Sequence, residues 1–104
     1  MRRLKIVWSE RAKYNLFIMT TYYTIRNGNS KYIKHIEREI KSRLKLIAHY
    51  PRMYQETSRL GVRAFSCDYF KIFYRIYTDY ILVEAIFDTR QDPDKSPFTD
   101  ESHY

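Results

Sequence analysis

Ile33, Ile36, Ile40, Leu44 and Ile47 recur at intervals of three, four, four and three, and beyond Pro51 that period never returns. Such spacing lays aliphatic side chains along one stripe of an α-helix. Residues 62–67, 69–77 and 80–88 instead alternate and are rich in Phe, Tyr, Ile and Val, with Asp68 and Thr78-Asp79 at the breaks. Three consecutive antiparallel strands are predicted there. A helical half followed by a strand half must bury its apolar stripe by laying helices on a sheet.

The start of the chain fits that plan. Leu4, Ile6 and Trp8 alternate with Arg3, Lys5 and Val7, the pattern of a short strand with one buried face. Ser9 can cap a helix over about residues 10–26, on which Ala12, Leu16, Met19 and Tyr23 share a stripe, and Asn27-Gly28-Asn29 can end it. Ser30 can cap the second helix, which stops at Tyr50 because Pro51 disfavours helix before it. In the middle strand Phe70, Ile72, Tyr74 and Ile76 are assigned to the core, with Tyr69, Lys71, Phe73, Arg75 and Tyr77 on the opposite face. The last strand carries Ile81, Val83, Ala85 and Phe87 on one face and Leu82, Glu84, Ile86 and Asp88 on the other, so it is predicted to be interior. The expected fold class is α+β, ordered β-α-α-β-β-β, a helical hairpin packed on one face of a small, mostly antiparallel sheet. Residues 1–90 are read as one domain and 91–104, with Pro93 and Pro97, as an acidic tail that is extended or disordered.

Charge points to a partner. The chain carries +7, but Asp92, Asp94, Asp100 and Glu101 against Lys95 make the tail −3 and leave +10 in residues 1–90. A field of that sign attracts polyanions: nucleic acid, ribosome or an acidic protein segment. No apolar run approaches the ~20 residues of a membrane span, and the segment after Met1-Arg2-Arg3 is too short for a signal-peptide core. A lone Cys67 and three histidines without ligand spacing support neither a disulfide nor a metal site, so no cofactor is expected and a reducing cytoplasm is. Cys67 itself reads as an inert thiol. His35 and His49 have no acid or nucleophile partner in sequence, and Lys34, Arg38, Lys41 and Lys45 read as a solvated basic stripe on the second helix.

The order of elements and several local motifs together resemble the RelE/ParE superfamily of toxin–antitoxin toxins. Ala12, Leu16, Met19 and Tyr22-Tyr23 match its first-helix pattern, and Pro51 its proline after the second helix. Leu60-Gly61-Val62-Arg63-Ala64-Phe65 followed by Ile72-Phe73-Tyr74-Arg75 resembles the ParE branch in particular. The resemblance spans about residues 4–93.

Two activities are implied by that resemblance. RelE-like members cleave messenger RNA on the ribosome with positioned Lys, Arg and Tyr side chains and no metal. Lys71 stands where that branch has a catalytic Arg, and Arg90 matches the Arg after strand four. The lysine pair of the RNA-cleaving type is missing from residues 62–66, prolines interrupt the tail, Phe98 has no hydroxyl, and Tyr104 lies far along. ParE-like members resemble inhibitors of DNA gyrase that poison it by contact, linked with plasmid stabilisation and growth inhibition. The expected function is therefore gyrase binding, through Arg63, Tyr69, Lys71, Phe73, Arg75 and Arg90, with Arg63 and Arg75 alternatively pairing with Glu84 or Asp88 across the sheet. The implied partner is a cognate ParD-like antitoxin in a hetero-oligomer, through which alone operator DNA is contacted. A non-toxic, antitoxin-binding relative is the remaining alternative.

Overall fold

A computed structural model describes residues 3–90; the expectations for 91–104 lie outside them. The elements follow in the order β1 (Lys5–Trp8), α1 (Glu10–Asn27), α2 (Lys31–His49), β2 (Val62–Cys67), β3 (Phe70–Ile76) and β4 (Tyr80–Asp88). Within the sheet the order is β1-β4-β3-β2. β1 runs parallel to β4 with Lys5 opposite Tyr80 and Trp8 opposite Val83, and the other pairs are antiparallel. Two helices on a mixed four-stranded sheet make an α+β fold, and β4 is interior as its two apolar faces required.

The aliphatic stripe of α2 is its buried face: Ile33, Ile36, Ile40, Leu44 and Ile47 meet Ala12, Met19 and Tyr23 of α1 and Phe65, Phe70, Ile72, Tyr74, Ile81 and Val83 of the sheet. Burying each such aliphatic contributes about 2 kcal/mol. Leu4, Ile6 and Trp8 pack against the same core from the sheet edge. The helix ends are set by local chemistry. Ser9 Oγ accepts from Ala12 N at 3.0 Å and donates to the Glu84 carbonyl at 2.8 Å, so one hydroxyl caps α1 and ties it to β4. Gly28 closes α1 in the left-handed conformation, φ 75°. Ser30 occupies the cap position of α2, but its side chain makes no capping bond; Asn29 Oδ1 accepts from Lys31 N at 3.0 Å instead.

In β4 the face assignment changes partway. Phe73 pairs with Ala85 and Tyr74 with Val83, so Glu84 is an extra residue bulged out of the ladder. Each residue beyond it switches face. Ile86, not Ala85, faces the helices, while Ala85 joins Val62 and Phe73 in a second cluster with Ala64 and Phe87. The outer face of the sheet thus has an apolar centre of its own. β3 is also shorter than expected: Tyr69 follows Asp68, whose φ of 55° makes the β2–β3 turn, and Tyr77 N bonds the Tyr80 carbonyl at 2.8 Å to close the next. Tyr74 is fully buried, and its hydroxyl donates to the Pro51 carbonyl at 3.0 Å.

Ser9→Ala removes the cap and the tether together, and urea unfolding is expected to show a loss of about 1–2 kcal/mol. Burial first of all raises the Tyr74 phenol from 10.0 to about 12. Below its unfolded value both states are protonated; above it the unfolded chain ionises first, so stability falls as pH rises from 10.0 toward about 12. Tyr74→Phe is expected to lose measurably less stability across that window than the wild type.

Candidate functional site

The predicted cations are placed by three different neighbourhoods. Arg75 reaches across the outer face so that its Nε meets Glu84 Oε2 at 2.5 Å, and its Nη1 donates to the Leu60 carbonyl at 3.4 Å. The bulge supplies that carboxylate. Gly61, at φ 81°, leaves room for the guanidinium: a Cβ there would stand 3.0 Å from Arg75 Nη1. Arg63 is only 13% exposed; its Nη1 donates to the Tyr54 carbonyl at 2.6 Å, and its Nη2 lies 3.7 Å from Glu56 Oε2. Of the two anticipated cross-sheet pairings, Arg75 makes the one to Glu84, whereas Arg63 turns to Glu56 in the preceding loop. Lys71 Nζ sits 5.7 Å from the Phe73 ring centre, on the outer face.

Arg90 belongs to the other side. Its guanidinium carbon lies 4.4 Å from the Tyr69 ring centre, 4.8 Å from Tyr23 and 5.7 Å from Phe70, and its Nε is 3.3 Å from Asp88 Oδ1. It also donates to the Tyr23 hydroxyl, which in turn donates to Asp88 Oδ2. Beyond the bulge Asp88 is turned toward α1, which is why this chain of bonds can form. Thr89 fastens the strand end, its N and Oγ1 both donating to the Tyr69 carbonyl at 2.8 and 2.7 Å. Tyr32 Oη donates to Asp68 Oδ2 at 2.5 Å beside this cluster.

Burial and the bond to Asp88 push the Tyr23 phenol well above its ordinary value, and burial and Asp68 push Tyr32 up to about 12. Both hold their protons at neutral pH. Burial likewise raises the Cys67 thiol, in keeping with an inert residue. Lys71 and Arg90 are therefore not brought to one phosphate, and the tyrosines around Arg90 are not poised to accept a proton. Among the described residues no group of His, Cys, Asp and Glu is arranged to hold a metal ion, and no helix is long and apolar enough to cross a membrane.

The outer faces of the two helices and the sheet edge are the groove that the family resemblance implies for an antitoxin, and on α1 the outward face is apolar. Tyr14, Phe17, Ile18, Tyr22 and Ile25 lie there exposed, Phe17 by 64% and Ile25 by 76%. Tyr14, Ile18 and Tyr22 line a groove of about 580 Å³ that runs from Arg11 to Phe87 and Asp88 at the end of the sheet. The sign was present in the sequence, because apolar residues at 14, 18, 22 and 25 repeat with helical period opposite the core stripe.

The family model described as the ParE toxin of the type II toxin–antitoxin system parDE matches residues 6–93. No curated protein sequence gives a match. A solved chain of the chromosomal ParDE TA system from P. aeruginosa is similar in fold, with a TM-score of 0.70 at 16% identity over 83% of this chain and 96% of that one. Arg90→Ala is expected to cost at most about 1 kcal/mol in urea unfolding, since the side chain is 34% exposed and stacks more than it pairs.

Proposed function

This chain belongs to the ParE toxin family of type II toxin–antitoxin systems, and from that premise we propose that it binds and poisons DNA gyrase, breaking no bond itself, until an antitoxin neutralises it. The observation that carries the reading is the separation of Lys71, on the outer face, from Arg90, stacked on Tyr23 and Phe70 at the helix side. Cleavage by in-line attack of a 2′-hydroxyl needs a base, charge stabilisation and an acid converging on one phosphate. The raised phenols of Tyr23 and Tyr32 supply no base at neutral pH. Contact with a large target asks only for accessible side chains, and Tyr69, 51% exposed beside Arg90, and the half-buried Lys71 on the outer face provide them. Phe73 and Arg75 share the outer face with Lys71, and Arg63 on the neighbouring strand is held to Tyr54 and Glu56.

A ParD-like antitoxin is the second partner, in a hetero-oligomer formed in the cytoplasm, with operator DNA held by the antitoxin. The exposed apolar face of α1 and the net charge of +7 favour an amphipathic, acidic segment that orders on binding.

The purified chain is expected to inhibit supercoiling by gyrase, and to leave messenger RNA intact in a translating extract. Lys71→Ala with Tyr69→Ala is expected to weaken inhibition by about tenfold or more. Messenger cleavage that Lys71→Ala or Arg90→Ala abolishes would establish the ribosome-dependent alternative instead. Unimpaired growth on expression without the antitoxin, with antitoxin binding retained, would identify a non-toxic relative.

A further inference from the structure

The two helices turn opposite kinds of surface outward. Where α1 is apolar, the crest of α2, followed at about 100° per residue, carries Lys31, Lys34, Arg38, Ser42 and Lys45, all exposed. His35 and His49 complete it, and no acid stands among them. The acids of α2 flank the crest instead: Glu37 pairs with Lys41 at 2.9 Å on one side, and Glu39 lies on the other. Arg43 leaves it altogether, its Nη1 donating to the Ser66 carbonyl at 3.2 Å on the β2 edge of the sheet. At the opposite edge, Arg3 and Lys5 beside β4's parallel partner share a trough with Lys41 and Lys45, so cations far apart in sequence join in one field. Lys31, Lys34, Arg38, Lys45, Arg3 and Lys5 have no ion pair among the described residues.

That charge opposes the helix it stands on. A helix N-terminus is the positive end of the dipole, where acids stabilise and cations do the reverse. α2 has no acid in its first turn and begins with Lys31, with Lys34 close behind. Lys34 and Arg38 add like-charge repulsion at i,i+4. A stripe that weakens its own helix calls for a ligand that neutralises it. Acidic peptides are held by apolar pockets between their charges, and unpaired nucleic-acid strands by aromatic platforms. The crest has neither; Leu46, at its rim, is the one large apolar side chain exposed on α2. A duplex backbone needs only cations in a row. From Lys31 to Lys45 the row is about 21 Å long, the rise of about six phosphates along one strand.

We infer that the crest of α2 is a docking face for duplex DNA, held by its phosphates without regard to sequence, with Lys31, Lys34, Arg38 and Lys45 in contact and Arg3 and Lys5 adding to the field. The face itself does not rest on the gyrase reading above, but its consequence does: the chain meets gyrase together with the DNA that the enzyme holds, the helix layer on the duplex and the outer sheet face on the protein.

The test titrates the full chain, without antitoxin, into a fluorescein-labelled duplex of arbitrary sequence and follows anisotropy at salt concentrations from about 50 to 200 mM. Micromolar dissociation constants are expected, with a log–log salt slope of about −4 for about four phosphate contacts. Lys31→Glu with Lys34→Glu is expected to weaken binding about tenfold or more while the melting temperature holds or rises, since acids suit that helix end. Lys13→Glu with Arg26→Glu on α1 changes the net charge equally and is expected to weaken binding by less than about threefold. Arg38→Ala with Lys45→Ala is expected to flatten the slope by about two. Equal losses from the α1 and α2 pairs, or a slope that Arg38→Ala with Lys45→Ala leaves unmoved, overturn the crest as the site. Tighter binding of duplex RNA or of polyglutamate than of duplex DNA overturns DNA as the ligand. A wild-type chain that inhibits gyrase and binds no duplex overturns the DNA face and leaves the gyrase reading standing; one that binds the duplex as described and leaves supercoiling untouched does the opposite.

Discussion

Glu84 is one residue more than β3 can pair with, and the geometry of the whole molecule turns on where that surplus is put. Its carbonyl takes the Ser9 hydroxyl and so anchors α1; its carboxylate, thrown to the outer face, meets Arg75. Every side chain after it changes face. Ile86 is delivered to the helices, its N–H accepted by Asn15 Oδ1 at 3.0 Å, and Asp88 is delivered to Tyr23. Without the bulge Asp88 would stand on the outer face with Phe87 inward, and Arg90 would have no acid beside the α1 tyrosines. One inserted residue therefore sets the helix anchor, an ion pair and the aromatic seat of a cation.

Those fixed cations redistribute the molecule's electrostatics. Arg63, Arg75 and Arg90 each lie beside a carboxylate or a backbone carbonyl, which lowers the field they project. Exposed positive charge persists around β1 and α2, at Arg3, Lys5 and Lys45. The apolar exposure lies elsewhere, along α1. A molecule with cationic and greasy surfaces on different elements suits a partner that wraps, meeting one surface with acids and the other with a helix face.

Much of this was readable in advance where the signal was local. The aliphatic period of α2, the alternation of β3 and the apolar character of both β4 faces specified the layers, because each depends only on neighbours in sequence. The bulge was not readable: Ile81, Val83, Ala85 and Phe87 alternate without interruption, and nothing in that string marks the slip that sends Ala85 outward. Capping was half readable, since Ser9 acts as its type suggests while Asn29 displaces Ser30 through a bond that either residue could make. The bond from Arg90 to Tyr23 joins residues 67 apart, and the parallel pairing of β1 with β4 spans a similar distance. Neither leaves a mark in the chain between, so the seat of the arginine and the identity of the edge strand emerge only once the fold is built.

The unequal edges also bear on how copies of this chain can meet. A sheet open on both sides is a repeating unit, able to stack copy upon copy without end. At β2 the Val62 and Ser66 carbonyls are already taken, by Thr57 N and Arg43 Nη1, so a second copy meeting that edge finds only part of a ladder. Pairing of β1 with β1 would be isologous and close on itself at two members, and the hydrogen bonds that β2 makes to the molecule's own loop and helix oppose growth past them.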